Sequence, residues 1–414
     1  MSAAAAPRRC DVLIAGCGVA GLYTALNLPA NLSVVMLSKA SLAECDSMLA
    51  QGGICVQRDE DDYLPYFEDT LRAGHGQNRR SSVDAMIRES RPVIDDLVAR
   101  GVPFDREPDG SLAYTREGAH SRARICHHAD VTGRAITTTL LACVQALPNV
   151  RILENVEMVD ILEEPGADGA ARCAGVVARP TRRVDAAATE GAVEAAGPAF
   201  EIRAAHTVWA TGGIGGTYAR STNFACLTAD ACTIARAHGI DLADMDYVQI
   251  HPTGLYTTHP GRVFLISESC RGEGAVLLNA AGERFCDELQ PRDVVSAAIA
   301  AQMAADGTDH VWLSFAPVDA AVVRTHFANI YEHCRAEGYD ILREPVPVVP
   351  TQHYFMGGVA TDTEHSATSL PDLFAVGETS CNGVHGKNRL ASNSLLEALV
   401  FARRAARAIA REHR

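Results

Sequence analysis

The run Cys10-Asp11-Val12-Leu13-Ile14-Ala15, followed without a break by Gly16-Cys17-Gly18-Val19-Ala20-Gly21, limits what this chain can fold into more than any other feature. A short apolar run rich in β-branched residues reads as a strand. Leu22, Ala25, Leu26 and Leu28 then share one face of a helix, and Ser33-Val34-Val35-Met36-Leu37 reads as a second strand. Strand, glycine turn, helix and strand is the setting in which G-x-G-x-x-G binds a dinucleotide. Gly16 permits the tight turn, Gly18 lets the backbone approach a pyrophosphate, and Gly21 lets helix and strand pack closely. Cys17, Val19 and Ala20 complete a helix start whose N–H groups and positive potential suit that pyrophosphate. The acid that usually holds the ribose is absent after the second strand, where Ser38 and Lys39 stand. The fingerprint alone therefore leaves NAD and FAD both open.

Further along, helical patterns cover 81–100, about 133–147, 229–238, 293–305 and about 393–411. The last has Leu395, Leu396, Leu399 and Val400 on its apolar side and four arginines near its end, which suits its dipole. Strands are expected at 150–153, 173–177, 207–213 and 373–378, with an Ala/Glu/Gly/Pro-rich stretch at 184–199 read as a mobile hairpin tip. The order points to an α/β protein. Its parts are a discontinuous Rossmann-like domain (1–243 and 354–414) and an inserted α+β capping domain at 244–353.

Composition closes off other classes. With 37 Lys plus Arg against 51 Asp plus Glu, the net charge of −14 argues against nucleic acid or an anionic membrane as partner. No apolar run reaches about 18 residues, so no membrane span is expected, and the N-terminus does not read as a signal peptide. Thirteen scattered cysteines without a C-x-x-C read as reduced thiols of a cytoplasmic protein. No metal site is expected. Cys126-His127-His128 is adjacent rather than spaced for a shared ion and reads as structural.

The segments Ala50-Gln51-Gly52-Gly53-Ile54, Thr115-Arg116-Glu117-Gly118-Ala119-His120-Ser121 and Ala210-Thr211-Gly212-Gly213 add more. So do Gln249-Ile250-His251-Pro252-Thr253, Arg271-Gly272-Glu273-Gly274, Pro291-Arg292-Asp293 and Gln352-His353-Tyr354. The series ends with Asn388-Arg389-Leu390-Ala391-Ser392-Asn393-Ser394-Leu395-Leu396-Glu397. In this order they resemble the succinate dehydrogenase/fumarate reductase flavoprotein superfamily over nearly the whole chain, and within it most closely the aspartate-oxidising branch. The resemblance implies FAD, held by Gly16, Gly18, Gly21, Ser38, Lys39, Asp46, Ser47, Gln51, Gly52, Gly53, Asp230, Glu378, Ser394 and Leu395, with Cys17, Val19 and Ala20 in the same turn. Members with covalent FAD carry a histidine where Asp46 stands, so dissociable FAD is expected. A soluble fumarate reductase or succinate-oxidising flavoprotein is the alternative, and a non-catalytic flavin-binding scaffold a more distant one.

The resemblance also places His251, Ser267, His353 and Arg389 around two substrate carboxylates and Arg292 beside the reacting carbons. Arg271 is expected behind them as support. Glu117 is the informative residue, because an acid in a pocket for a dianion is unfavourable unless a cation offsets it. The α-ammonium of L-aspartate would do so; the other role for Glu117 is a structural ion pair with Arg116 or Arg122. The implied reaction passes a hydride from Cα to flavin N5, giving iminoaspartate for a quinolinate-forming enzyme in NAD biosynthesis. O2, yielding hydrogen peroxide, or fumarate then serves as electron acceptor. Three departures from the family are expected to matter: no C-terminal three-helix domain after 393–411, a shortened segment between Gly274 and Pro291, and Ala229 where a glycine flanks Asp230.

Overall fold

The computed structural model describes residues 8–413 except 168 and 185–189. The first seven residues, and with them the reading of the N-terminus, lie outside these. Arg9–Ala15, Val34–Ser38, Val150–Glu154, Phe200–Trp209 and Leu373–Ala375 run parallel in one sheet, with Ile14 in register with Met36 and Val208. Both faces are covered over Val12–Ala15, Val34–Leu37 and Thr207–Trp209, which are buried without alternation, whereas Glu201 and Arg203 of Phe200–Trp209 and Arg151 and Glu154 of the edge strand are exposed. Ile14, Met36 and Val208 pack with Leu22, Leu140 and Leu399 of the helices Val19–Asn27, Thr132–Gln145 and Asn393–Glu412. Leu13, Val35 and Trp209 point the other way, onto Ile234 of the Asp230–Ala237 helix and the hairpin Val156–Pro165/Ala171–Arg183.

Of the expected hairpin tip at 184–199, Val193–Ala195 pairs with Thr181–Arg183, and 185–189 lie outside the described residues. The strand expected at 207–213 ends at Trp209; Ala210–Gly213 leaves the sheet as a loop. Between the two halves of this unit sits an antiparallel sheet, ordered Val248–Leu255, Val346–Phe355, Val311–Ser314 and Val276–Leu278. Its own core includes Leu277, Leu313, Val348 and Ile299, the last from the Arg292–Asp306 helix. The strand Val346–Phe355 runs unbroken through the division expected at 353 and stays paired with Val248–Leu255 as far as Phe355.

The arginines near the end of Asn393–Glu412 do more than meet its dipole. Arg403, Arg404 and Arg407 reach sideways to Glu89 on the Arg80–Ala99 helix, at 3.1, 2.6 and 3.5 Å. Only Arg411 stands in the last turn. The helix is thereby fastened along its flank while its first turn faces the site.

Candidate active site

The chain leaves Ala15 through Gly16, whose φ of +118° excludes most side chains. A Cβ at Gly16 would lie 1.9 Å from the Ala210 carbonyl oxygen, and one at Gly21 would lie 2.0 Å from the Gly16 carbonyl oxygen. Strand, loop and helix can meet this closely only without those atoms. Gly18 caps the helix with no side-chain hydrogen bond, and Val19 N–H donates to Ser47 Oγ at 3.1 Å. From this turn one cleft of 2150 Å³, its open mouth included, extends to the antiparallel sheet. It joins the glycine turn at one end to His251, Arg292, His353 and Arg389 at the other in one continuous space.

Every residue expected to hold the cofactor lines this cleft except Gly21, which packs behind the turn. Two of them hold each other, since Lys39 Nζ lies 2.8 Å from the Asp230 carboxylate and also donates to Thr228 Oγ1 at 2.7 Å. Ala229, beside them, takes the left-handed conformation (φ 62°) that the usual glycine would adopt freely. It does not line the cleft, so the expected crowding becomes local backbone strain. Asp46 accepts from Phe224 N–H at 3.0 Å, and burial pushes its carboxyl up to about 7. Glu378 accepts from Phe355 N–H at 2.9 Å and is pushed by burial up to about 8. Gln51 donates to the Leu265 carbonyl at 2.7 Å, and its Oε1, like Asp46 Oδ2, is buried without a partner. Buried polar groups normally have partners. Both orphaned atoms are acceptors, and the hydroxyls and ring N–H of FAD are donors of the required kind, while the N–H groups of the glycine turn suit its pyrophosphate, so these residues fit that cofactor.

At the other end the cleft is lined by Glu117, His251, Ser267, Arg292, His353 and Arg389 together. His251 is fully buried and its Nδ1 accepts from Thr253 N–H at 3.2 Å. The neutral ring therefore carries its proton on Nε2, which is buried and unpartnered. Burial, with Arg292 close by, holds this histidine well below its ordinary pKa, and burial with Arg292 and Arg389 does the same at His353. Arg389 lies 4.4 Å over the Tyr354 ring, its Nε buried without an acceptor, and burial beside Arg292 pulls it down to about 10. Two donors thus wait for oxygen in a cation-rich pocket.

Glu117 sits among these cations, 3% exposed. Its Oε1 accepts from Ser269 Oγ at 2.8 Å and its Oε2 from Ser392 Oγ at 2.5 Å. Arg122, one of the two candidate partners of the structural reading, pairs instead with Asp59. A Cβ at Gly52 would lie 2.1 Å from Glu117 Oε1, so the Gln-Gly-Gly loop makes the room for this carboxylate. Burial, and then the negative charge of Glu268, raise its pKa above the ordinary value.

Sequence reasoning missed Glu268. Burial would raise it, yet Arg292 and Arg271 outweigh burial and hold it below its ordinary pKa. Arg292 Nε donates to its Oε2 at 2.5 Å, and Arg292 Nη1 donates to Gln249 Oε1 at 2.9 Å. Arg271 Nη2 lies 3.5 Å from the same Glu268 oxygen, and Arg271 does not line the cleft. The available signal was an acid lodged between Ser267 and the Arg271-Gly272-Glu273-Gly274 motif. Ser269 and Ser392, which orient Glu117, were likewise not singled out for that role.

Fold and cleft together define an FAD-dependent oxidoreductase with a cation-lined substrate end. The FAD binding domain family matches residues 11–395. The L-aspartate oxidase of Clostridium perfringens is 44% identical over 400 residues, covering 96% of this chain and 86% of the relative. That of Neisseria meningitidis is 44% identical over 410 residues, covering 97% and 78%. Among solved structures, a quinol-fumarate reductase with menaquinol molecules superposes with a TM-score of 0.86 at 32% identity, over 98% of this chain and 71% of that one. The chain belongs to the L-aspartate oxidase family.

Proposed function

We propose that the chain oxidises L-aspartate to iminoaspartate with FAD as cofactor. The observation that carries this reading is a buried acid, Glu117, in one cleft with His251, Arg292, His353 and Arg389. Arginine and fixed N–H donors suit carboxylates. A carboxylate among them is costly unless the ligand brings its own cation. The α-ammonium of aspartate supplies one; succinate and fumarate have none. Arg389 and His251 Nε2–H bind the substrate carboxylates, with Ser267 and His353 beside them. Glu117, aimed by two hydroxyls and raised in pKa, pairs with the ammonium and takes its proton. The freed nitrogen lone pair forms the C=N bond as the Cα hydrogen departs with its electron pair. Bound FAD supplies the acceptor for that hydride.

Fumarate fits the same cations and is proposed as an electron acceptor alongside dioxygen, which would yield hydrogen peroxide. For fumarate, Arg292 donates the proton to the second carbon. Burial of Arg292 at 6% exposed keeps bulk water from it, and its Glu268–Arg271 chain provides a route for the proton's return. Asp46 offers no histidine for a covalent link, so FAD is held reversibly and should separate from the chain on filtration after urea denaturation. The product, an unstable imine, passes to a quinolinate-forming enzyme in NAD biosynthesis. The likeness to quinol-fumarate reductase supports a second reading, a soluble fumarate reductase or succinate oxidiser. Anaerobic mixing distinguishes the two: L-aspartate should bleach the oxidised-flavin absorbance and succinate should not. Bleaching by succinate alone would overturn the first reading.

A further inference from the structure

Away from the cleft, four side chains from three segments converge at one point. His206 lies on Phe200–Trp209, Asp372 immediately precedes Leu373–Ala375, Glu412 ends the Asn393–Glu412 helix and His413 follows it. His206 Nε2 stands 3.1 Å from His413 Nε2 and 3.7 Å from Glu412 Oε2. Two imidazoles bound to one tetrahedral zinc at about 2.0–2.1 Å hold their nitrogens about 3.3 Å apart. The His206–His413 separation is close to that of two ligands of one ion, and His206, Asp372 and Glu412 bring one ligand atom each within 4.8 Å of one another. Successive helical residues point about 100° apart. The helix ends between Glu412 and His413, whose φ of −106° and ψ of 17° take it off the helical path, and each of the two reaches His206 Nε2.

The surroundings of His206 strengthen the case. It is 4% exposed, and its Nδ1 is buried without a hydrogen-bond partner, 3.4 Å from Asp372 Oδ1. Arg172 Nε lies 3.1 Å from the other Asp372 oxygen and steadies it. Without an ion, the Nε2–Nε2 contact requires one ring to donate to the other, and Nδ1 has no partner. With an ion on Nε2 the His206 proton lies on Nδ1, facing Asp372, which is the carboxylate–imidazole–metal arrangement of metal sites.

We propose that His206, His413 and Glu412 bind a divalent ion of the zinc class, with Asp372 orienting His206 from behind. None of the four lines the cleft, so the ion is structural. It would tie two elements that both reach the site. The Asn393–Glu412 helix starts beside Ser392, Ser394 and Leu395 in the cleft, and Phe200–Trp209 runs into the cleft loop Ala210–Gly212.

The test uses the FAD-loaded protein, treated with chelator and titrated with Zn2+ by calorimetry, with the thermal midpoint followed in parallel. The chain should take up one zinc equivalent and melt at a higher temperature. Exposed His413→Ala, which leaves the fold and aspartate turnover intact, should abolish both effects, as should His206→Gln. Asp372→Asn keeps a side chain tolerated at its left-handed φ of 62° and should weaken binding about tenfold. Thirteen cysteines could also take zinc, so Co2+ is used in parallel; nitrogen and oxygen ligation gives no thiolate charge-transfer band. No zinc uptake, uptake unchanged in His413→Ala, or a thiolate band would each overturn the proposal.

Discussion

In the proposed reaction Glu117 and Arg292 divide the chemistry between them, and each division is testable. Glu117 accepts from hydroxyls of two different segments, Ser269 in the short helix Glu268–Gly272 and Ser392 at the start of Asn393–Glu412. Gln at this position keeps the shape but can neither neutralise an ammonium nor take its proton. Glu117→Gln should therefore lower kcat/KM for L-aspartate by about a hundredfold or more. Fumarate inhibition constants measured on the same protein should barely move; parallel losses would mean a structural role only. Arg292 is fixed by Glu268 and Gln249 through directed N–H groups that a lysine cannot reproduce. Oxidation to an imine moves no Cβ proton. Arg292→Lys should thus depress fumarate reduction about a hundredfold, with a markedly smaller loss in aspartate turnover assayed with dioxygen. Equal losses in both assays would end the assignment of Arg292 as proton donor.

The short helix Asp230–Ala237 shows how an element start can carry strain. Ala229 caps it in the left-handed region, at a cost of about 1–2 kcal/mol for an L residue. Glycine removes that strain and gives back about 0.5–1 kcal/mol in unfolded-state entropy. Ala229→Gly should therefore stabilise the chain by about 0.5–1 kcal/mol, read as a higher urea midpoint. A lower midpoint would show that the left-handed conformation is not strained. The Asn393–Glu412 helix illustrates the opposite case. Its periodicity was plain in the sequence, because burial of Leu395, Leu396, Leu399 and Val400 is a local pattern. The convergence of three of its arginines on Glu89 was not, because Glu89 is brought in by a separate helix.

For the molecule as a whole, buried ionisable groups in the cleft and, with His385 and Glu397, outside its lining set a pH window for stability. Burial pushes Glu378 and Glu397 up to about 8, so the native chain holds protons that the unfolded chain releases above about 4.3. Their contribution is full below that value and is lost as pH rises through about 8. Burial holds His251, His353 and His385 well below their ordinary value, so the unfolded chain is the one that gains protons below about 6.5. Their contribution is present above that pH and is lost beneath it. The cofactor-free chain should be most stable at about pH 6–7, with urea midpoints falling on both sides between about pH 5 and pH 9. A midpoint that rises steadily to the alkaline end would contradict these buried states.

Features carried by neighbours in the chain were legible before any coordinates. The glycine turn at 16–21, the apolar runs of the first two parallel strands, and the helix faces follow from backbone geometry and burial acting over a few residues. The motifs holding His251, Arg292 and Arg389 were named from the family resemblance, not from local geometry. Which of those groups meet depended on packing across long sequence separations. The hydroxyl pair that aims Glu117, the acid that secures Arg292, the mutual pairing of Lys39 and Asp230, and the gathering of His206 with His413 leave no local periodicity to read. Such contacts arise only when a sheet, an inserted unit and the final helix are brought together, because electrostatics and hydrogen bonding depend on distance in space and not on position along the chain.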